Sequence, residues 1–214
     1  MATKKRFFSV EGDGVQMNSH HDILAEKYRP TTMDEFVGNE SIKESMAQYL
    51  DSSKIPPHML FYGPSGTGKT TLARMLVAHI DCDSITINAS DENDVETVRT
   101  KIKGFASTVG FNDIKIIILD EFEYMSRNAQ AILRNLMEKY VENCRFILTC
   151  NHVDMIIKPI KSRCQLIHVE PPSKKQVGKH ITKILKKEDI KYDIADVVTL
   201  VNNHYPDMRQ ILTD

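Results

Sequence analysis

Lys69 and Thr70 close the stretch "GPSGTGKTT", and Asp120 and Glu121 close "IIILDE" further along the chain. Both sets are suited to phosphate chemistry. The first stretch fits G-x-x-x-x-G-K-[ST] through Gly63, Gly66, Gly68, Lys69 and Thr70. Glycines let successive backbone N–H groups turn inward and approach phosphate oxygens without a Cβ in the way. A helix starting near Lys69 adds its positive N-terminal end to the same place. Lys69 would then reach the β- and γ-phosphates, and the Thr70 hydroxyl would hold Mg²⁺. Of the two acids, Asp120 suits Mg²⁺ held through its water shell, and Glu121 can orient or deprotonate an attacking water. The plainer readings are a glycine-rich turn and a strand that ends in surface acids. At ordinary glycine usage the loop pattern arises by chance in roughly one chain in a hundred of this length. Its company with the acidic pair favours the chemistry.

Other polar residues stand at element ends. "RFILTCNH" ends a strand in Asn151, whose amide could bond both a γ-phosphate and the attacking water. Arg163 precedes the last apolar run, and Arg209 opens the last helix with Asp207 at its N-cap. Taken singly, these three read as a loop amide and two surface arginines.

The elements that must position these groups follow from hydrophobic period. Met59 to Tyr62 is a short apolar run before the loop, and Leu72, Met75, Leu76 and Ile80 recur at helical spacing after it. "SITIN", "KIIILD", "RFILTC" and "LIHV" complete five strand candidates separated by helices, and "KIIILD" reads as a strand buried on both faces. The alternation predicts an α/β fold with a five-stranded parallel sheet, whose ligands sit beyond the carboxyl ends of the strands. Ile42, Met46, Tyr49 and Leu50 share a helical face, with Ser41 and Glu44 spaced as a capping box. Val95, Val98, Ile102, Phe105 and Val109 mark a helix that ends near Ser107. Pro171 and Pro172 place a boundary, which gives a flexible tail (1–21), an α/β domain (22–170) and a small all-helical domain (171–214) that must dock on it.

With 41% hydrophobic and 27% charged residues the chain has a globular profile, and a net charge of −1 means that any nucleic-acid surface is local. The four cysteines lack zinc spacing, and no secretory or membrane-spanning run is present, so the chain is expected to be cytoplasmic and reduced, with no membrane partner.

"EKYRPTTMDEFVGNE", "GPSGTGKTT", "INASDENDVETVRTKIKGFAST", "IIILDEFEYMS", "AQAILRNLMEKY", "ILTCNH", "IIKPIKSRC" and "YPDMR" stand in the order found in clamp-loader ATPase subunits of the AAA+ class, which the chain resembles over about residues 23 to 212. Replication factor C small subunits are one such type. "DEFE", "IIKPI" and "YPDMR" look most like the large subunit of a T-even-type bacteriophage clamp loader. The resemblance implies a P-loop ATPase domain with a helical lid, ATP and Mg²⁺ as cofactors, and a sliding clamp, primer–template DNA and other loader subunits as partners in a homo- or hetero-oligomeric ring or spiral. It makes Arg163 an arginine finger for the neighbouring subunit's ATP, Asn151 sensor 1 and Arg209 sensor 2. It adds Glu26, Lys27, Tyr28, Arg29 and Val37 around the adenine, and Thr67 and Thr71 within the phosphate loop. Arg99, Lys103, Ser107 and Thr108 become DNA-backbone contacts, which position a duplex without reading its sequence. Arg134 matches an arginine that couples subunits or DNA to the site, and the lysines of "SKKQVGKHITKILKK" read as lid surface.

There are two departures. Glu123 stands where many relatives carry Asp, at a position expected to lie outside the chemistry. The family also continues into a helical collar that the residues up to Asp214 do not supply. The implied function is an ATPase that opens a clamp and loads it on primed DNA in replication, in host cytoplasm if of phage origin. Two other readings stand beside it. A branch-migration type of AAA+ motor is disfavoured by "SRC", and a non-hydrolysing structural subunit by intact Lys69, Thr70, Asp120 and Glu121.

Overall fold

The apolar runs of the sequence become parallel strands covered on both sides. The computed structural model describes residues 22–49, 55–112 and 114–214. The expected N-terminal tail and Leu50 lie outside the described residues. In chain order the elements are α1 (Asp22–Lys27), α2 (Glu40–Tyr49), β1 (His58–Tyr62), α3 (Lys69–His79), β2 (Asp83–Asn88), α4 (Val95–Thr97), a π-helical segment (Val98–Ile102) and α5 (Lys103–Ser107). They continue as β3 (Lys115–Asp120), α6 (Arg127–Lys139), β4 (Cys144–Cys150), α7 (Lys158–Lys161), β5 (Gln165–His168), α8 (Lys174–Lys187), α9 (Ile194–His204) and α10 (Met208–Thr213). Short 3-10 turns follow β3 at Phe122–Tyr124 and β4 at Val153–Met155.

The sheet has five strands in the order β2-β3-β4-β1-β5, all parallel. Register decides what meets at its carboxyl edge. Tyr62 pairs with Cys150, and the Gly63 N–H donates to the Cys150 carbonyl at 3.3 Å. The end of β1 therefore lies beside the end of β4, with β3 on the far side of β4. Because side chains alternate along a strand, the sheet sorts its residues between two cores. Leu60, Ile117, Leu119, Phe146 and Leu148 pack with Val98, Ile102, Leu133 and Met137. Met59, Phe61, Ile116, Ile118 and Ile147 pack with Met46, Leu72 and Leu76 on the other face. Helices α8 to α10 share a separate core of Val177, Ile181, Val197, Val201 and Ile211.

Helix starts follow capping chemistry. Ser126 caps α6, Ser173 forms a capping box with Gln176 on α8, and Asp207 caps α10 by accepting from the N–H groups of Arg209 and Gln210. The box expected from Ser41 and Glu44 does not form. Helix α2 begins one residue earlier, at Glu40, and the Asn39 carbonyl takes the N–H groups of Ile42 and Lys43. Asn39 adopts φ +56, and its side-chain amide exchanges two hydrogen bonds with the backbone of Glu170. A long-range contact thus occupies the position that a local cap was expected to fill.

The helix expected up to Ser107 is interrupted. The Lys103 N–H donates to the Val98 carbonyl five residues back, which widens the turn. Val98, Ile102 and Ala106 face the core, whereas Val109 lies beyond the helix and is fully exposed, contrary to its place in the apolar stripe. Lys115 explains the stop. Its buried ammonium donates to the carbonyls of Phe105 and Thr108, which places a positive charge at the helix end where the last carbonyls lack intrahelical N–H partners.

Candidate active site

Between β1 and α3 the chain turns through residues 63–68. Gly68 takes φ +93, and a Cβ there would stand 2.5 Å from the Phe36 ring. Only glycine fits such a place. Gly68 also presents no side-chain acceptor to α3, so the first-turn N–H groups remain available to an anion. Lys69 is 7% exposed, and its ammonium donates to the Gly63 carbonyl at 2.9 Å and the Pro64 carbonyl at 2.6 Å. Burial lowers its pKa, opposed first by the charge of Glu123 and also by that of Asp120.

Across the loop, the Thr70 hydroxyl donates to Asp120 Oδ1 at 2.7 Å. The same oxygen accepts from the Thr149 hydroxyl, and Thr149 in turn accepts the Glu121 N–H at 3.1 Å. Glu121 sits in the left-handed region at φ +53, a strained place for a residue with a side chain. Thr149, on β4, thus bonds both Asp120 and the backbone of the strained Glu121. Asn151, just past β4, donates its N–H to Glu123 Oε1 at 2.8 Å. Glu123 is 4% exposed and meets the site through the backbone of Asn151.

Most of these groups border one cavity, which Glu123 does not line. Its lining includes Ser65 to Thr71, with Gly66, Thr67, Gly68, Lys69 and Thr70 among them, and Asp120, Glu121, Thr149, Cys150 and Asn151 at the strand ends. Glu26, Tyr28, Arg29, Phe36 and Val37 come from the N-terminal segment, and Pro172, His180, Met208, Arg209 and Leu212 from the helical end of the chain. Gly63 contributes only its carbonyl, through Lys69. Lys27 is not brought to the cavity, because its ammonium pairs with Glu188 at 2.6 Å. The Tyr28 hydroxyl donates to the same Glu188 carboxylate, which pushes its pKa up to about 12. Burial pushes the Cys150 thiol up to about 12, so it lines the cavity as a neutral group.

The helical end also touches the loop directly. The Met208 N–H donates to the Gly66 carbonyl at 3.3 Å, and the Ser65 hydroxyl to Asp207 Oδ2 at 3.3 Å. Arg163 does not line the cavity. Its guanidinium pairs with Glu138 and donates to the Pro159 carbonyl at 2.7 Å. Arg99 and Lys103 are exposed. The Ser107 hydroxyl, however, donates to the Gly104 carbonyl, and the Thr108 hydroxyl donates to the Phe105 carbonyl while accepting from Lys115. Both hydroxyls face their own helix end, which leaves the two cations as the outward charges of the expected DNA set. Arg134 donates to the adjacent Asn135 side chain.

Thr149, Gln130 and His180 are placed at or beside the site without a sequence signal of their own. Gln130 is 1% exposed and joins the turn after β3 to the turn after β4, donating to Met125 O at 3.0 Å while accepting the Ile157 N–H at 3.0 Å. His180 is on α8, and burial lowers its pKa.

The Thr70–Asp120 pair fits Mg²⁺. That cation takes oxygen ligands, keeps several waters and is commonly held by one or two side chains plus substrate phosphates. Among the described residues no cluster of three or more His, Cys, Asp or Glu could hold a metal by itself.

Residues 59–171 match the family described as "ATPase family associated with various cellular activities (AAA)", which is more than half of the chain. The chain is 44% identical over 177 residues to a replication factor C small subunit of Archaeoglobus fulgidus, a match that takes in 79% of this chain and 55% of that protein. It is 40% identical over 197 residues to the corresponding protein of Sulfolobus acidocaldarius, 89% of this chain and 60% of that protein. The chain therefore spans somewhat over half the length of these relatives. Among solved structures it is similar to the Thermotoga maritima RuvB Holliday junction branch migration motor, with a TM-score of 0.72 over 86% of this chain and 63% of that one. At 17% identity this last likeness shows the fold alone.

Proposed function

The chain belongs to the AAA family of ATPases, and from that premise we propose that it binds ATP with Mg²⁺ in the cavity at the carboxyl edge of the sheet and hydrolyses it as a subunit of a sliding-clamp loader in DNA replication. The observation that carries the catalytic part is the Thr70 hydroxyl set on Asp120 at 2.7 Å, beside an open helix N-terminus and buried Lys69. Mg²⁺ bound there would neutralise charge on the β- and γ-phosphates. The backbone of residues 65–70 and Lys69 would hold the phosphates, and Glu121 would orient or deprotonate the attacking water. Asn151 would stand at the γ-phosphate, and Arg209 would reach it from the helical lid (171–214), which closes over the α/β domain (22–170). Glu26, Tyr28, Arg29 and Val37 would surround the base.

The replication role is supported by the identity to replication factor C small subunits. In this reading Arg163 acts on the ATP of a neighbouring subunit, which agrees with its place away from its own chain's cavity. Arg99 and Lys103 would contact the backbone of primer–template DNA. Clamp, DNA and further loader subunits are the partners, and the setting is the cytoplasm. Among the described residues no helix is long and apolar enough to cross a membrane. The finer likeness to a T-even-type phage loader rests on "DEFE", "IIKPI" and "YPDMR" and belongs to the same reading.

The test is ATP turnover against protein concentration, with and without primer–template DNA and the remaining loader subunits. Turnover per chain should climb with concentration and again with DNA. Mixing Arg163→Ala with Lys69→Ala chains should restore activity, because each supplies what the other lacks. Flat turnover, or no recovery in the mixture where wild type is active, refutes a shared site.

A further inference from the structure

Glu123 is a carboxylate that the fold buries and then leaves half used. Only 4% of its surface is exposed, Oε1 accepts the Asn151 N–H at 2.8 Å, and Oε2 is buried without a hydrogen-bond partner among the described residues. An unpaired buried oxygen is costly, and an apolar side chain would fill the volume at less expense. The single bond it makes is long-range in sequence. It joins the 3-10 turn that follows Asp120 and Glu121 to the first residue after β4.

That bond supplies the acceptor for the Asn151 N–H. No other strand continues the pairing past Cys150 on this side, since β3 and β4 are in register only up to Leu119 and Leu148. The Asn151 N–H would otherwise lose its protein acceptor at the edge of the cavity. With it bound, Asn151 lines the same cavity as Lys69 and Thr70.

We propose that Glu123 is a positioning residue, which fixes the backbone of Asn151 so that its side-chain amide meets the terminal phosphate of a bound nucleoside triphosphate. This rests on the reading of the cavity as an ATP site. A conservative amide keeps a carbonyl acceptor for the Asn151 N–H, so Glu123→Gln retains the function, whereas Glu123→Leu and Glu123→Met remove the acceptor at similar volume.

The experiment uses the chain labelled with ¹⁵N and follows the backbone and side-chain amide signals of Asn151 with Mg²⁺ and either ADP or a non-hydrolysable ATP analogue. Wild type and Glu123→Gln should give Asn151 signals that differ between the two nucleotides. In Glu123→Leu and Glu123→Met that difference should vanish, while ADP affinity stays within about threefold of wild type. In turnover assays of the assembled loader, kcat should fall at least about tenfold with KM little changed, and adding Asn151→Ala should cost little more. Retention of the difference in a folded Glu123→Leu or Glu123→Met chain overturns the proposal, as does its loss in Glu123→Gln. A wild-type chain that binds neither nucleotide overturns the ATP-site reading itself, which separates the two failures.

Discussion

Acid should weaken this fold through one histidine at the end of β1 opposite the phosphate loop. His58 is 4% exposed, its ring meets Phe146 edge-on with centroids 5.3 Å apart, and its Nδ1 accepts the Phe146 N–H at 3.3 Å. That bond requires the neutral ring. Burial, followed by the charges of Arg145 and Arg163, pushes its pKa down from 6.5 to about 4. The sign follows from proton counting. Above about pH 6.5 neither folded nor unfolded His58 is charged, and it contributes no pH dependence. Between about 6.5 and about 4 the unfolded chain binds a proton that the folded chain refuses, so stability falls by about 1.4 kcal/mol per pH unit. The loss reaches about 2 kcal/mol near pH 5 and about 3 kcal/mol over the whole window. Carboxylates also titrate in this range, so the comparison must be with a variant. His58→Asn keeps an acceptor for the Phe146 N–H and cannot titrate. With no tryptophan in the chain, urea unfolding is best followed by far-UV circular dichroism at about pH 7.5 and about pH 5. Wild type should lose about 2 kcal/mol more than His58→Asn between the two. Parallel losses, equal within about 0.5 kcal/mol, would refute the buried neutral histidine as the acid-sensitive element.

Two further predictions concern the site. Gly66 has φ +71, and a Cβ there would lie 2.2 Å from Asp207 Oδ1 and 2.7 Å from Asp207 Cα. Rotating a side chain cannot relieve the second contact, so Gly66→Ala should cost about 1–2 kcal/mol in backbone strain and push the start of α10 off the loop. The expected signs are a lower urea midpoint and faster proteolysis of the helical end, and an unchanged midpoint counts against the contact. Glu121→Gln should leave ATP affinity within about threefold while lowering turnover by about a hundredfold or more. Equal loss of binding and turnover would instead assign Glu121 to nucleotide binding.

Local patterns carried most of the fold and part of the site. The short apolar runs 59–62, 115–120 and 145–150 were legible as strands, the second as one buried on both faces, and the observed strands His58–Tyr62, Lys115–Asp120 and Cys144–Cys150 match them. The phosphate loop was legible for a related reason. Its chemistry depends on backbone conformation at Gly66 and Gly68 and on a helix N-terminus, both of which are set within a few residues. The order β2-β3-β4-β1-β5 and its register were decided by tertiary packing, and they bring the ends of β1, β3 and β4 together. From that meeting came the polar contacts that no periodicity announces: Thr149 on Asp120, Glu123 on Asn151, and Gln130 between two turns. The same long-range packing overrode local expectation where Asn39 bonded Glu170 in place of a capping box. A hydrophobic period reports which face a residue turns to the core. A buried polar side chain, by contrast, is placed by whichever donor or acceptor the rest of the chain brings within reach, and that is settled only when the strands are assembled.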